Sequence, residues 1–215
     1  MIVVYIDRNA LTLYRGDREA VGLLRIPETI VRDLEVLDKD TLYGLISGWI
    51  QGINISASDL VCILGQSVYY AKELSGADKQ ATEDEALAFF ESIPFDSIHS
   101  RIYSAEKGKR AIAVNAALCD AIQKAFTLQG FHVRAIVPVG VMGNMSTKQG
   151  LDGELGSWTV KNMELVAHQS IVAGQPQGEA ALEGGTAHKK SQLPLLLGFL
   201  GILVLFLIIM LMVPR

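Results

Sequence analysis

The first 140 residues predict an α/β fold built on a mixed sheet. Three observations carry that reading. Ile2-Val3-Val4-Tyr5-Ile6 is a continuous apolar run, the signature of a strand buried on both faces. Residues 111–137 spell strand, amphipathic helix, strand, and such a unit calls for a parallel pair. The opening, in contrast, is a series of short strands joined by tight turns, which is an antiparallel meander. The class of nucleic-acid binders is excluded by charge: 19 Lys+Arg stand against 23 Asp+Glu, for a net of −4, where such proteins carry a basic surplus.

The elements follow in order. After the first strand, Asp7-Arg8-Asn9 makes a turn and Leu11-Thr12-Leu13-Tyr14 returns. Arg15-Gly16-Asp17-Arg18 turns again, and residues 21–26 form a third strand. Asp38 or Asp40 caps a helix whose apolar face is Leu42, Leu45, Ile46, Trp49, Ile50 and Ile53, repeating at three and four. Trp49 lies on that face and reads as core. Residues 60–64 are a short buried strand, and Val68-Tyr69-Tyr70-Ala71 extends as another. Thr82 opens the next helix, with Glu85 three residues later completing a capping box. Glu83-Asp84-Glu85 would then be its solvated first turn, suited to the helix dipole. Ala86, Phe89, Phe90 and Ile93 face inward and Pro94 stops it. Residues 99–104 and 111–114 are a hairpin whose tip is the basic run Lys107-Gly108-Lys109-Arg110. Asn115 caps a helix with Leu118, Cys119, Ile122 and Phe126 on its core face; Gly130 ends it and residues 133–137 are the last strand.

Beyond Pro138 the periodic signal fades. Glycines 140, 143, 150, 153 and 156 interrupt the chain, so 141–172 reads as a weakly structured extension with a short amphipathic piece over 160–167. Trp158 and Met163 in it are candidates for either an interface or core. Residues 173–192, rich in Gly, Gln, Glu and Ala, form a flexible linker. Residues 193–214 form a transmembrane helix. Within it, 195–213 are 19 residues with no charged or polar side chain, about 28 Å at the helical rise against a hydrocarbon core of about 30 Å. Leu195, Leu196, Leu197, Phe199, Leu200, Ile202, Leu203, Val204, Leu205, Phe206, Leu207, Ile208, Ile209 and Leu211 make up the anchor. Lys189 and Lys190 precede it, and the positive-inside rule then sets the N-terminal domain in the cytoplasm. Gly198 and Gly201 are three apart, so the four-residue glycine spacing of paired membrane helices is missing.

The search for chemistry is brief. There is no Gly-x-Ser-x-Gly elbow, no Walker loop and no Gly-x-Gly-x-x-Gly after a strand. Cys62 and Cys119 sit in apolar runs and read as reduced core residues. The four histidines, His99, His132, His168 and His188, are scattered and form no zinc spacing with them. No catalytic residue, metal site or cofactor is expected. Asp7, at the end of the first strand, is the one carboxylate placed for cofactor contact; a turn-forming Asp is the plainer reading.

Residues 1–140 resemble the N-terminal half of PilM-type pilus assembly proteins and the cytoplasmic domain of GspL-type secretion proteins, which are actin-like folds. The resemblance rests on Val4-Tyr5-Ile6-Asp7, on the strand 60–64 leading into Gln66-Ser67-Val68, on the helix closing Glu91-Ser92-Ile93-Pro94-Phe95, and on Gly130-Phe131-His132-Val133 after the next helix. It implies a truncated actin-like cytoplasmic domain. Nucleotide-binding relatives follow the first aspartate with Gly-Ser or Gly-Thr; here Arg8-Asn9-Ala10 follows Asp7, and too little chain remains for a second lobe. The resemblance therefore implies a non-enzymatic scaffold anchored in the inner membrane, whose partners are the membrane, other pilus or secretion proteins and, as an open alternative, further copies of itself. The rival readings are a nucleotide-dependent switch with a degenerate ATP site around Asp7, and an unrelated tail-anchored α/β binding domain.

Overall fold

The computed structural model describes residues 1–16, 22–105 and 108–172. The expected linker over 173–192, the expected transmembrane helix over 193–214 and its flank Lys189-Lys190 lie outside the described residues, as does Lys107. Among the described residues no helix is long and apolar enough to cross a membrane.

The opening meander is present as expected. β1 (Ile2–Asp7) pairs antiparallel with β2 (Ala10–Tyr14), which pairs antiparallel with β3 (Leu23–Arg25). A minimal hairpin, β4 (Val31–Arg32) and β5 (Glu35–Val36), comes next. Its turn holds Asp33 and Leu34 at φ of 50° and 68°, the left-handed pair that matches strand twist but suits a leucine poorly. Burial of Leu34, and a hydrogen bond of 3.0 Å from Asn115 Nδ2 to its carbonyl, hold it there.

Asp38, not Asp40, caps α1 (Lys39–Gly52), accepting from the Thr41 N–H at 3.0 Å. β6 (Asp59–Leu64) then lies parallel to β1. Gln66–Val68 is a 3₁₀ turn, so the strand expected from Val68 starts only at β7 (Tyr70–Leu74). α2 (Lys79–Ser92) starts three residues before Thr82, because Asp78 is its cap. Thr82 is instead a buried residue of the first turn, its hydroxyl donating to Asp78 O at 2.7 Å. Glu85 reaches out of the helix to the Ser75 N–H at 2.8 Å and to Lys72, rather than closing a capping box.

β8 (Ile98–Ala105), β9 (Gly108–Asn115), α3 (Ala116–Leu128) and β10 (His132–Pro138) match the expected hairpin, helix and strand. Asn115 caps α3 through the N–H groups of Ala117 and Leu118, and Gly130 ends the turn at φ 84°. The expected parallel pair is corrected. β10 pairs parallel with β6, while β9 stays in a separate antiparallel sheet ordered β7-β9-β8. β9 is locked to β8 over its full length, and α3 carries the chain from this small sheet to the edge of the large one.

The large sheet is ordered β10-β6-β1-β2-β3. One face packs on α1 and α3 through Val4, Ile6, Leu11, Cys62, Ile46, Ile122 and Phe126. The other face, with Val3, Tyr5, Val61, Ile63 and Val137, is covered by the segment after β10. There the reading of 141–172 as weakly structured fails: α4 (Gly153–Lys161) and α5 (Met163–His168) pack on the sheet, burying Leu155 and Val166 completely. A sheet apolar on both faces must have two covers. Trp49 packs against the first cluster, and Trp158 and Met163 against the second, so all three are partly buried core residues. Cys62 and Cys119 are free and buried.

Candidate functional site

β1, β6 and β10 run parallel, so their carboxyl ends share one edge, the place where open α/β sheets hold ligands. Two features occupy that edge. The first is the Asp7 corner. The Asp7 carboxylate accepts from the Arg8 N–H at 2.8 Å and, in a very short contact on the same oxygen, from the Ser67 hydroxyl. It thus closes its own turn and ties β1 to the segment after β6. Arg8 turns away to Asp33, an ion pair with both side chains well exposed. Gly65 makes this junction: its N–H donates to Ile6 O at 2.8 Å, and a Cβ there would come within 2.9 Å of the Tyr5 ring. The Tyr5 phenol is pushed up to about 12, first by burial and then by the Asp7 charge.

The second feature is a cleft of about 760 Å³ between the small sheet and the turn 139–147. Glu73 of β7 and Arg110 of β9 are cross-strand partners by register, which sets their side chains together at 2.5 Å. Arg110 also donates to Gly140 O at 2.9 Å, and the Gly140 N–H donates to the Tyr69 hydroxyl at 3.1 Å. A Cβ at Gly140 would stand 2.6 Å from that hydroxyl, so the approach requires glycine. Burial raises the Tyr69 phenol, opposed by the Gly140 N–H. Ser104, Ser146 and Thr147 add hydroxyls to the walls. Arg110, expected at a solvated hairpin tip, is thereby a fixed bridge across the cleft, while Lys109 beside it is exposed. Glu83-Asp84-Glu85 is likewise no free first turn: Glu83 pairs with Lys79 and Glu85 with Lys72.

Sequence reasoning reached Asp7 but not the cleft. Tyr69, Glu73, Arg110 and Gly140 are far apart in the chain and carry no shared spacing. The only visible signal was the pair of glycines at 140 and 143. Of the histidines that the sequence reads as scattered, His99 pairs with Asp120 at 2.8 Å, and His132 lies 3.8 Å from Asp59. Among the described residues no group of three His, Cys, Asp or Glu side chains could hold a metal.

No glycine opens the backbone at positions 8–10, and the Asp7 oxygen facing Ser67 is already doubly engaged.

The fold and its cleft define a mixed α/β domain of a large and a small sheet. Two solved structures resemble it over 64% of this chain. One is the PilM-PilN type IV pilus biogenesis complex, at TM-score 0.40 and 14% identity, covering 45% of that chain. The other is the cytoplasmic domain of EpsL, an inner membrane component of the type II secretion system of Vibrio cholerae, at TM-score 0.38 and 13% identity, covering 56% of that chain. The chain thus matches about half the length of each. No family model and no curated protein matches the sequence.

Proposed function

We propose that this chain is a non-enzymatic scaffold of a type IV pilus or type II secretion assembly platform, holding its folded region at the cytoplasmic face of the inner membrane to recruit a partner. The observation that carries the reading is the run 195–213, 19 residues without a charged or polar side chain behind Lys189 and Lys190. The linker before it would keep the domain near the bilayer, where local concentration favours binding. The choice of machine is supported by the resemblance in residues 1–140. The absence of a nucleotide step is supported by Asp7, whose carboxylate serves the chain's own turn and Ser67.

The test is a pull-down from membranes in mild detergent. The intact chain is the bait and a chain lacking 193–214 is the control. Recovery of pilus or secretion platform proteins with the intact chain alone supports the scaffold. Equal recovery with both baits removes the role of the anchor. Thermal stabilisation by Mg-ATP that disappears in Asp7→Ala would establish the nucleotide switch instead, since a ligand of the native state raises its stability.

A further inference from the structure

Residues 169–172 leave α5 without regular structure, yet they bind both sheets. On the side of the large sheet, the Ile171 N–H donates to Ile136 O at 2.8 Å, and the Ile136 N–H donates to Ser170 Oγ at 3.2 Å. The seryl oxygen stands in for a strand carbonyl, because Ser170's own carbonyl is used elsewhere. It accepts from Arg101 Nη1 of β8 at 2.7 Å. Gln169 O accepts from the Tyr103 hydroxyl, also of β8, at 3.1 Å. The Arg101 guanidinium lies 5.2 Å from the centre of the Tyr103 ring, and Tyr103, Ser170 and Ile171 are all buried.

Tyr103 also lines the cleft. Apart from the core that Ile98, Ile112 and Val114 share with Leu118 and Phe126, the cleft end of the small sheet is thus fastened by hydrogen bonds at two places, by different strands. Arg110 of β9, with Tyr69 ahead of β7, holds Gly140; Arg101 and Tyr103 of β8 hold residues 169–170. Two separated ties resist rotation, whereas one permits a hinge. We propose that residues 169–172 are a strap that sets the width of the cleft, so that lifting the strap from β8 lets the cleft end of β8, at Tyr103 and Ser104, move away from the turn 139–147 while the core end stays packed. Residue 173 continues directly from the strap.

The test uses the full chain in detergent, with Ser104→Cys and Thr147→Cys as spin-label sites on the cleft walls; the native Cys62 and Cys119 are buried. Into this background go Tyr103→Phe, which keeps the ring and loses one hydrogen bond, Arg101→Ala, and Ser170→Ala. In Arg101→Ala and Tyr103→Phe the 104–147 distance distribution should widen about twofold. In Ser170→Ala the Ile136 amide should exchange roughly tenfold faster, while those of Val4 and Cys62 hold their rates. An unchanged distribution in all three variants overturns the strap. So does uniform acceleration of Val4, Cys62 and Ile136 in Tyr103→Phe, since the contact would then belong to the common core and not to a local brace.

Discussion

The two faces of the large sheet are covered by different means. One carries α1 and α3, of 14 and 13 residues, whose inward side chains interdigitate with Val4, Ile6 and Cys62. The other carries two 3₁₀ turns and the short helices α4 and α5, of 9 and 6 residues. On the first face, bulk fills space: Phe126 and Phe131 meet edge to face at 5.8 Å, both inaccessible to solvent. On the second, backbone comes close instead. Gly156 of α4 lies against the Tyr14 ring, where any Cβ would collide with it. Bulk writes a strong helical period into a sequence; close approach writes only a glycine. An apolar strand is then better evidence for a second cover than the covering segment itself.

That contrast can be tested with the two tryptophans, because Trp49 packs on the first face and Trp158 on the second. Urea unfolding of single-tryptophan variants reports each face separately. Phe126→Ala should have the largest effect, a loss of about 3–5 kcal/mol, because the long helices cannot collapse onto the cavity. Leu155→Ala should cost about 2–3 kcal/mol, toward the low end for a buried leucine, as short α4 settles onto the sheet. Equal losses at both positions would break the comparison.

Gly156→Ala should cost about 1–3 kcal/mol through overpacking against Tyr14. The same substitution in a Tyr14→Ala background should cost nothing further if ring contact is the cause, a double-mutant cycle that sharpens the close-approach argument. Asp152→Ala removes the cap of α4, whose carboxylate accepts from the Leu155 N–H at 2.7 Å, and should cost about 1 kcal/mol at neutral pH. That N–H, followed by Lys148, lowers the Asp152 pKa from its ordinary 3.8. A depressed carboxylate stabilises the fold above its unfolded value and loses that contribution as pH falls through the folded one. The difference between wild type and Asp152→Ala should therefore be constant above pH 5 and vanish in the acid limb, with Trp158 as reporter. The smallest effect is expected at Asp7→Ala: under about 1 kcal/mol, for an exposed turn contact. A larger loss would mean that the Asp7–Ser67 tie supports both faces at once.

Much of the fold was legible. The caps Asp38 and Asn115, the left-handed Gly130 and the meander all rest on contacts within a few residues, where local chemistry decides. The start of α2 was misplaced because Thr82 and Glu85 fit a capping box in sequence, while Asp78, four residues earlier, wins the first free N–H groups in space. Of the candidate site, only the Asp7 corner was visible, since a carboxylate at a strand end is a local pattern. The cleft was hidden because Glu73 and Arg110 are joined by strand register across 37 residues.

By itself, the sequence determined the alternation of strands and helices, the burial of β1 and β6 on both faces, the cap of α3 at Asn115 and the apolar run at 195–213. These follow from side-chain period and local hydrogen bonding. Only the tertiary structure decided that β10 joins β6 rather than β9, that 141–172 covers the sheet, and that Ser170 and Arg101 fasten two sheets together. Each of those depends on which distant surfaces meet, and the free energy of burying them belongs to the pair, not to either segment alone.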